Sequence, residues 1–488
     1  MTSSPPRTDA RLLPEIIQGG MGVAISDWRL ARATARAGAL GVVSGTALDQ
    51  VLARRLQDGD PSGEIRRAFE AFPEPAVAQR VWQRFFIEGG KAPHAAYATL
   101  PLLDETPTRD QLQLCVIANF VEVWLARRGH QGPIGINYLE KIQIPHLPSI
   151  YGALLAGVDV VLMGAGIPLK VPGAIDALVV HAPATYPLTV TGLPPGETVS
   201  LHFDPREVIA DGLAPLRRPA FLAIVSSPTL AKTLLHKANG SVDGFVVEGP
   251  TAGGHNAPPR GRLQIDARGE PVYGPRDVVD PAAFSALGVP FWLAGGYGAP
   301  GRLADARAAG AAGIQVGTAF ALCDESGLRD DLRQALRDRL QSQELEVRTD
   351  PLASPTGYPF KVVQLPGTIA DEQTYAARPR ICDLGYLREA YRTPDGTVGF
   401  RCAAEPVSLY VHKGGHEPDT AGRRCICNAL IASAGLPQVR AGHLVEAPIV
   451  TAGDGAAAAV ALLEPPSACG SAEDVVRRLS GLPSSAES

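Results

Sequence analysis

The chain has 488 residues, of which 45% are hydrophobic and 19% are charged. This is the composition of a globular protein that is long enough for a barrel of ordinary size plus an appendage. A net charge of −5 gives no electrostatic reason to expect nucleic acid or an anionic membrane as a partner. The sequence lacks an apolar run of transmembrane length and a signal-peptide core, so we expect a cytoplasmic protein with reduced thiols.

Up to about residue 320, short apolar runs alternate with helix-like stretches, which is the pattern of βαβ units and a parallel sheet. In the first unit, Ser26 is expected to cap a helix that ends at Gly38. The predicted strands are residues 15–18, 40–44, 134–138, 159–163, 221–225, 244–248, 291–294 and 313–316. Eight such strands predict an α/β fold, a (β/α)8 TIM barrel over residues 14–325.

Three stretches interrupt the barrel pattern as insertions. Residues 45–130 contain a polar helix pair and an amphipathic stretch at 110–127, residues 170–215 indicate an excursion with a short hairpin, and residues 256–280 are rich in Pro and Arg. Either of the first two could cover the barrel mouth. A charged helix at 328–345 then leads into an irregular C-terminal extension, residues 326–488, whose last residues (482–488) are predicted to be disordered.

Glycine-rich turns follow the last two predicted strands, at Gly295-Gly296 and at Gly317-Thr318. Glycine lets the backbone approach a ligand closely, and a helix N-terminus presents unpaired N–H groups. Either turn alone could be only a tight connection between a strand and a helix. Two of them on neighbouring barrel strands predict a phosphate site.

Two further motifs lie at other strand ends. Gly19 and Gly20 would let a flat ring lie against the backbone, and an N–H near Met21 could bond its edge. Asn137, at the end of the third strand, has an amide that can serve both donors and acceptors of a heterocycle. A buried asparagine that caps a loop is an equally common alternative.

The sixth strand ends in a glycine-rich turn, Ala252-Gly253-Gly254-His255, which would project an imidazole into the barrel mouth. Histidine has the side-chain pKa nearest neutrality, so it can exchange a proton with a substrate at physiological pH. A loop histidine bonded to a carbonyl is the alternative. The position at a barrel strand end favours the catalytic interpretation.

Taken together, four motifs resemble those of the nitronate monooxygenase family, formerly called 2-nitropropane dioxygenases. They are Gln18-Gly19-Gly20-Met21, Ala252-Gly253-Gly254-His255, Ala294-Gly295-Gly296-Tyr297-Gly298 and Gln315-Val316-Gly317-Thr318-Ala319-Phe320. The resemblance runs from about Pro14 to Leu322. It implies a barrel that binds FMN non-covalently and oxidises alkyl nitronates with O2 to a carbonyl compound and nitrite.

The resemblance also implies a role for each site residue. His255 would face the substrate, and Ser226, in the loop after the fifth strand, would line the same pocket. The residues predicted to bind the cofactor are Gly19, Gly20, Met21, Asn137, Ser226, Gly253, Gly254, Gly295, Gly296, Gly317 and Thr318.

The chain departs from the family after the histidine. In the family, a glycine usually stands two places after it, whereas here Asn256-Ala257 follows His255. Arg260, Arg262 and Arg276 of the 256–280 insertion would lie near the site, in a lid, an anion clamp or a solvated loop. The length of the chain and the Ala252–His255 motif also resemble a sister group, the barrel enoyl reductases of polyketide and polyunsaturated fatty acid synthases. That group implies reduction of an acyl-thioester double bond with NAD(P)H.

Four of the seven cysteines, Cys382, Cys402, Cys425 and Cys427, lie within a short part of the C-terminal extension. Four thiolates could bind Zn or an iron–sulfur cluster. Their spacing lacks paired Cys-x-x-Cys knuckles, and buried unrelated thiols are the alternative.

The sequence therefore predicts an FMN-dependent oxidoreductase of the nitronate monooxygenase type. The alternatives are an NAD(P)H-dependent enoyl-thioester reductase on the same barrel and a non-redox barrel that binds a phosphate ligand. The expected partners are a small-molecule or acyl-thioester substrate and, for the reductase, NAD(P)H. Neither nucleic acid nor membrane is expected, and a homodimer is left open.

Overall fold

A computed structural model describes residues 5–210, 212–463 and 470–482. The strands are β1 Ile16–Gln18, β2 Gly41–Ser44, β3 Ile134–Leu139, β4 Val160–Gly164, β5 Ala184–Leu188, β6 Val190–Thr191, β7 Val199–Phe203, β8 Ala220–Val225, β9 Gly244–Glu248, β10 Phe291–Ala294, β11 Gly313–Val316, β12 Val347–Asp350, β13 Phe360–Val363, β14 Glu389–Arg392 and β15 Val398–Arg401. The first helices are α1 Trp28–Arg36, α2 Leu48–Gln57, α3 Glu64–Glu70, α4 Pro75–Phe85, α5 Arg109–Ala126, α6 His146–Leu155, α7 Val171–Val179 and α8 Pro228–Lys237. The later ones are α9 Pro281–Ser285, α10 Arg302–Ala308, α11 Thr318–Ala321, α12 Asp330–Gln341, α13 Glu372–Ala377, α14 Val407–His412, α15 Ile426–Ser433, α16 Ala456–Leu463 and α17 Ala472–Leu479.

Eight parallel strands form the central sheet, in the order β1-β11-β10-β9-β8-β4-β3-β2. The two ends of this sheet meet, because Gln18 N donates to Leu40 O at 3.0 Å and Leu40 N donates to Ile16 O at 2.9 Å. The Gln18 side-chain amide adds two bonds of 3.0 Å to the backbone of Val42. The sheet is therefore a closed barrel, and all eight predicted strands are confirmed.

The barrel interior is packed with apolar side chains. Trp292 is 1% exposed, and its indole Nε1 donates to Pro14 O at the end of the barrel away from the site. Since the interior is filled, a ligand can bind only at the mouth, where the carboxyl ends of the strands meet. The apolar side chains that share this interior are Ala10, Ile17, Leu40, Val42, Val160, Leu162, Ala220, Leu222, Val246, Trp292 and Ala294.

Helix α1 begins one residue later than predicted. Asp27, and not Ser26, is its N-cap, since the Asp27 carboxylate accepts from the N–H groups of Arg29 and Leu30. Ser26 is fully buried, and its hydroxyl accepts from Met21 N at 2.7 Å. Ser26 therefore fixes the loop after β1 at the barrel mouth and does not start the helix.

Residues 45–130 differ from the predicted helix pair followed by an amphipathic helix. Three helices, α2 to α4, pack around α5, which is buried on nearly all sides between them and α1 and α6. Glu122 on α5 lies 3.0 Å from the Arg55 guanidinium and accepts from Trp28 N at 2.9 Å. Helix α5 therefore belongs to the outer layer of the barrel.

The predicted hairpin in residues 170–215 is confirmed as the antiparallel pair β5 and β7. The short strand β6 between them pairs in parallel with β14 of the C-terminal extension. The excursion thus joins the barrel to the extension.

The C-terminal extension is more regular than its sequence predicts. It has the antiparallel pairs β12–β13 and β14–β15 and helices α12 to α17. Its apolar side chains pack directly on loops of the barrel mouth; for example, Leu336 clusters with Ile25 and Leu322. The predicted disordered tail lies, after Leu482, outside the described residues.

No helix in the described part of the chain combines the length and the apolar character that a membrane crossing requires.

Candidate functional site at the barrel mouth

A cavity of about 260 Å³ lies at the carboxyl ends of the barrel strands, and we call it the site cavity. Every barrel strand contributes to its wall, directly or through the residue that follows the strand. One residue from each strand end is Gly19, Ser44, Asn137, Gly164, Ile224, Glu248, Ala294 and Gln315. This is the position at which barrels of this class bind their ligands.

The predicted phosphate residues lie together on one side of the site cavity. Gly295 and Gly296 have φ angles of +81° and +84°, which only glycine adopts readily. A Cβ on Gly295 would approach the Thr251 hydroxyl to 3.0 Å, so the neighbouring loops are close together here. Gly317 and Thr318 line the same cavity at the start of α11.

A segment that the sequence did not reveal covers these loops. Residues 451–455, here called the cover segment, come from the C-terminal extension. Gly453 N donates to Thr318 Oγ1 at 3.1 Å, and Gly254 N donates to Thr451 Oγ1 at 2.7 Å. The predicted phosphate loops are therefore bounded by a third backbone segment and are not open to solvent on that side.

A buried lysine holds the cover segment in place. Lys361 on β13 is 2% exposed, and its ammonium lies 2.7 Å from Asp454 and 2.7 Å from the Thr349 hydroxyl. Its backbone N–H donates to Gly254 O at 2.9 Å. Lys361 thus ties the cover segment and the Gly253-Gly254 turn to the same strand.

The residues predicted to contact a ring lie in the same cavity, and Gly19 is adjacent to the Gly317 turn because its N–H donates to Val316 O at 2.8 Å. Gly19, Gly20, Met21 and Asn137 all line the site cavity, as Gly253 and Gly254 do. A Cβ at Gly20 would clash with the Asn137 Cβ at 2.4 Å, so only glycine allows this loop to approach β3.

Two buried amide oxygens in the cavity wall, Asn137 Oδ1 and Gln315 Oε1, have no hydrogen-bond partner among the described residues. Leaving such an atom unsatisfied costs about 1–3 kcal/mol. A planar heterocycle with N–H and C=O groups on its edge would satisfy both amides. The residues present therefore fit a flavin whose ring edge meets these amides and whose phosphate meets the glycine turns of the same cavity. Gln315 lies in a motif that the sequence singled out, but its side chain was not predicted to bind.

The C-terminal extension holds His255 in position. The His255 backbone bridges Phe360, and the two rings pack edge to face with centroids 4.8 Å apart. His255 Nε2 is hydrogen-bonded to Ser354 Oγ at 2.8 Å, and Ser354 in turn bonds the Thr356 hydroxyl. The imidazole therefore has a fixed orientation in the cavity wall.

Burial, together with the positive charge of Lys141, lowers the pKa of His255 to about 3. The imidazole is therefore neutral at physiological pH. A neutral ring with so low a pKa is a weak base, but it can still donate or accept a hydrogen bond. The structure thus favours an orienting role for His255 over the removal of a proton.

Glu248, at the end of β9, is a titratable group that the sequence analysis did not select. Its carboxyl group lines the site cavity, and burial raises its pKa to about 7. A carboxyl with this pKa can give or take a proton near neutrality. Its position at a strand end is the one signal in the sequence that could have identified Glu248.

Ser226 is not among the described residues that line the site cavity, and its carbonyl accepts from Arg260 at 2.5 Å. Arg276 donates to Arg260 O at 2.6 Å, so Arg260 joins the 256–280 insertion both to itself and to the loop after β8. Of the alternatives for this insertion, the structure favours a loop outside the cavity wall, because Arg260, Arg262 and Arg276 are not among the residues that line it.

The predicted metal site is not supported. Cys382, Cys402 and Cys425 pack together with Ala404 as a small apolar cluster, whereas Cys427 lies apart, in the wall of the site cavity. No group of three or more His, Cys, Asp or Glu in the described residues has an arrangement that could hold a metal ion. The concentration of cysteines in the sequence thus reflects burial of small side chains and not a ligand set.

Residues 190–351 match the family model described as nitronate monooxygenase. A "Probable nitronate monooxygenase" of Bacillus subtilis (strain 168) is 31% identical over 144 residues, which are 30% of this chain and 39% of that protein. The chain thus matches well under half the length of this relative. The family match confirms the predicted resemblance over the part of the chain that holds His255 and the glycine turns.

Among solved structures, the chain is similar to the nitroalkane oxidase of Streptomyces ansochromogenes, with 15% identity, a TM-score of 0.46 and coverage of 96% of each chain. It is also similar to FabK of Thermotoga maritima, with 14% identity, a TM-score of 0.45 and coverage of 96% of this chain and 91% of that one.

Proposed function

We propose that this chain binds FMN at the barrel mouth and oxidises an alkyl nitronate with O2 to a carbonyl compound and nitrite. The observation that carries the proposal is the position of His255 beside two unsatisfied amides in one cavity, within a segment that matches the nitronate monooxygenase family model. When bound, FMN would supply the redox chemistry, which no side chain can provide.

The protein's part in this reaction is to bind and orient. The amides of Asn137 and Gln315 would hold the ring edge, and the turns at Gly295 and Gly317 would hold the phosphate. The neutral imidazole of His255 would donate a hydrogen bond to an oxygen of the nitronate and so orient the substrate. Such positioning makes the reaction between two molecules effectively unimolecular, and this lowers the activation barrier.

Mixing with candidate substrates under anaerobic conditions tests this proposal. FMN-loaded protein is mixed either with ethyl nitronate or with NADPH, and the visible flavin absorption is followed. We expect rapid bleaching with the nitronate and none with NADPH. Bleaching by NADPH alone would contradict the nitronate proposal.

A specific observation favours a second candidate, an NAD(P)H-dependent enoyl-thioester reductase on the same FMN site. A larger cavity of about 710 Å³ adjoins the site cavity and shares Ile142, Tyr386 and Leu387 with it. A small alkyl nitronate would leave this space empty, whereas a thioester on a long carrier arm would fill it. In the same experiment, bleaching by NADPH followed by recovery with an enoyl thioester would identify the reductase.

A further inference from the structure

The wall of the site cavity contains no cation. Neither a lysine nor an arginine is among the described residues that line it, and its titratable side chains are Glu248, His255, Tyr297, Tyr386 and Cys427. The proposed substrate is an anion, and a charge that leaves water is costly unless hydrogen bonds or an opposite charge replace the lost solvent. A nitronate in this cavity therefore depends on hydrogen-bond donors.

Two ammonium groups lie close to this wall, and neither supplies a lasting positive charge to it. Lys361 is paired with the Asp454 carboxylate at 2.7 Å. Lys141, in the larger adjoining cavity, lies over the ring of Tyr358, and burial lowers its pKa to about 7 although Glu140 opposes this shift. The charge of Lys141 is therefore partly lost near neutral pH, and a carboxylate lies near each of the two ammonium groups.

Four of the five titratable side chains in the wall stay uncharged near neutral pH. The pKa of His255 is lowered to about 3, so its imidazole is neutral. Burial raises the pKa of the Cys427 thiol and of the Tyr297 and Tyr386 hydroxyls. Among the side chains of this wall, Glu248 is therefore the one that can change its charge in this pH range.

The carboxyl group of Glu248 is available to a ligand. Glu248 ends β9 and lies in register with Ala294 of β10, so the loop with His255 begins directly after it and the Gly295 turn begins beside it. Among the described residues it has neither a hydrogen bond nor an ion pair. Burial alone raises its pKa to about 7, so the acid and its carboxylate are about equally populated at neutral pH.

The two forms of Glu248 interact with an anionic ligand in opposite ways. As a carboxylate it would place a second negative charge in a cavity without a cation, and two like charges in a buried site repel strongly. As a carboxylic acid it presents one O–H, and a hydrogen bond from that group to an anionic oxygen is about twice as strong as a bond between neutral groups. An entering anion therefore favours the protonated form of Glu248.

We propose that Glu248 binds the nitronate as a carboxylic acid, whose hydroxyl donates to one oxygen of the substrate, and that the ionised carboxylate excludes the anion. The neutral imidazole of His255 serves the second oxygen. Wherever Glu248 is ionised before binding, the substrate enters together with one proton from water, and the carboxyl retains that proton. This inference rests on the proposed nitronate reaction and adds the group that makes binding of the anion dependent on pH.

Calorimetric titration of FMN-loaded protein with propionate tests this inference without turnover. Propionate resembles ethyl nitronate in chain length and in its planar group of two oxygens that share one negative charge, and it stays ionised between about pH 6 and pH 9. Above the pKa of about 7 we expect its affinity to fall about tenfold per pH unit, with uptake of about one proton per bound propionate. Titrations in buffers of different ionisation enthalpy measure that uptake. Propionamide, the uncharged counterpart, should bind with the same affinity throughout.

The variant Glu248→Gln identifies the group that carries the pH dependence. Glutamine keeps the size and a hydrogen-bond donor but cannot ionise, so we expect FMN to stay bound and the affinity for propionate to become independent of pH. Lys141 is unchanged in this variant, so its own loss of charge near pH 7 is separated from the ionisation of Glu248. Glu88→Gln, at an exposed position, is the matched control and should behave as the wild type.

Four results would overturn the inference: no binding of propionate, an affinity in the wild type that does not change with pH, a pH dependence that persists in Glu248→Gln, or loss of FMN from that variant. Failure of the nitronate reaction is a separate result. Propionate binding with the expected pH dependence but no bleaching by ethyl nitronate would reject only the reaction. Bleaching by limiting ethyl nitronate at equal rates below and above the pKa of Glu248 would reject only the role of Glu248.

Discussion

At the scale of single residues, the site depends on side chains whose ionisation follows from burial. His255 is held by Ser354 and Phe360 and stays neutral, since desolvation lowers its pKa to about 3. Its contribution to catalysis should therefore be a fixed hydrogen bond, the loss of which affects turnover and not the binding of the cofactor.

We expect His255→Asn to keep FMN bound and to lower kcat on the order of 100-fold, the range for loss of one positioned hydrogen-bonding or proton-transfer group. Steady-state kinetics with flavin quantified per chain provides the measurement. The control is His94→Asn, an exposed histidine far from the site cavity. Unchanged turnover in His255→Asn would remove this residue from the mechanism.

Glu248 should give the flavin-free protein a pH-dependent stability. Its folded-state pKa of about 7 lies above the ordinary value of 4.5, so the folded protein holds the proton more tightly than the unfolded chain. The free energy of unfolding should therefore fall as the pH rises from 4.5 to 7, by up to about 1.4 kcal/mol per pH unit.

Chemical denaturation at several pH values measures this effect. In Glu248→Gln the decline over that window should disappear, whereas Glu88→Gln, an exposed control, should retain it. A decline that is the same in wild type and Glu248→Gln would show that Glu248 does not carry the raised pKa.

At the scale of elements, the C-terminal extension completes the site that the barrel begins. Backbone near His255 pairs with β13, and the cover segment bonds the loops after β9 and β11. The Lys361–Asp454 ion pair joins these two contacts, and one partner is buried while the other is half-exposed.

We expect Asp454→Asn to weaken FMN binding several-fold and to lower the free energy of unfolding by about 1–2 kcal/mol, because Lys361 is left as a buried, unpaired ammonium. Fluorescence titration with FMN and thermal denaturation check the two effects. Asp305→Asn is the control, since its pair with Arg302 is exposed on both sides and should be worth less than about 1 kcal/mol. Normal FMN affinity in Asp454→Asn would show that the cover segment has no part in the site.

These elements also show which parts of the fold the sequence could predict and which it could not. Short, mainly apolar runs of four or five residues predicted all eight barrel strands, because each is buried on both faces of a parallel sheet. The burial of helix α5 on nearly all sides was not predicted, since its contacts with α2, α3 and α4 are tertiary and leave no periodic signal. The cover segment is short, and nothing local in its sequence indicates that it meets Thr318, 135 residues away.

The residues of the candidate site also fall into those that the sequence could predict and those that it could not. Glycines at strand ends were predictable, because tight loops near a ligand need positive φ or the absence of a Cβ. Ser226 does not line the site cavity, since a position after a strand end does not determine which loop residue faces inward. Gln315 and Glu248 point inward at strand ends, yet only the closed barrel shows that their side chains share one cavity.

At the scale of the whole molecule, barrel and extension enclose two adjoining cavities with different characters. The site cavity has glycine-rich backbone and unsatisfied amides, whereas the larger adjoining cavity is lined by three cations and three carboxylates. Residues of the C-terminal extension line both cavities, so the extension is not an independent module.

The proposed function depends most directly on a contact between the glycine turns and the phosphate of the flavin. Equilibrium titration of flavin-free protein with FMN and, in parallel, with riboflavin isolates that contact, because the two ligands differ only in the phosphate. Bonds to a charged group are worth about 1.5–3 kcal/mol each, so we predict that FMN binds at least about tenfold more tightly, with equimolar saturation. Equal affinity for the two ligands, or no binding of either, would contradict the account.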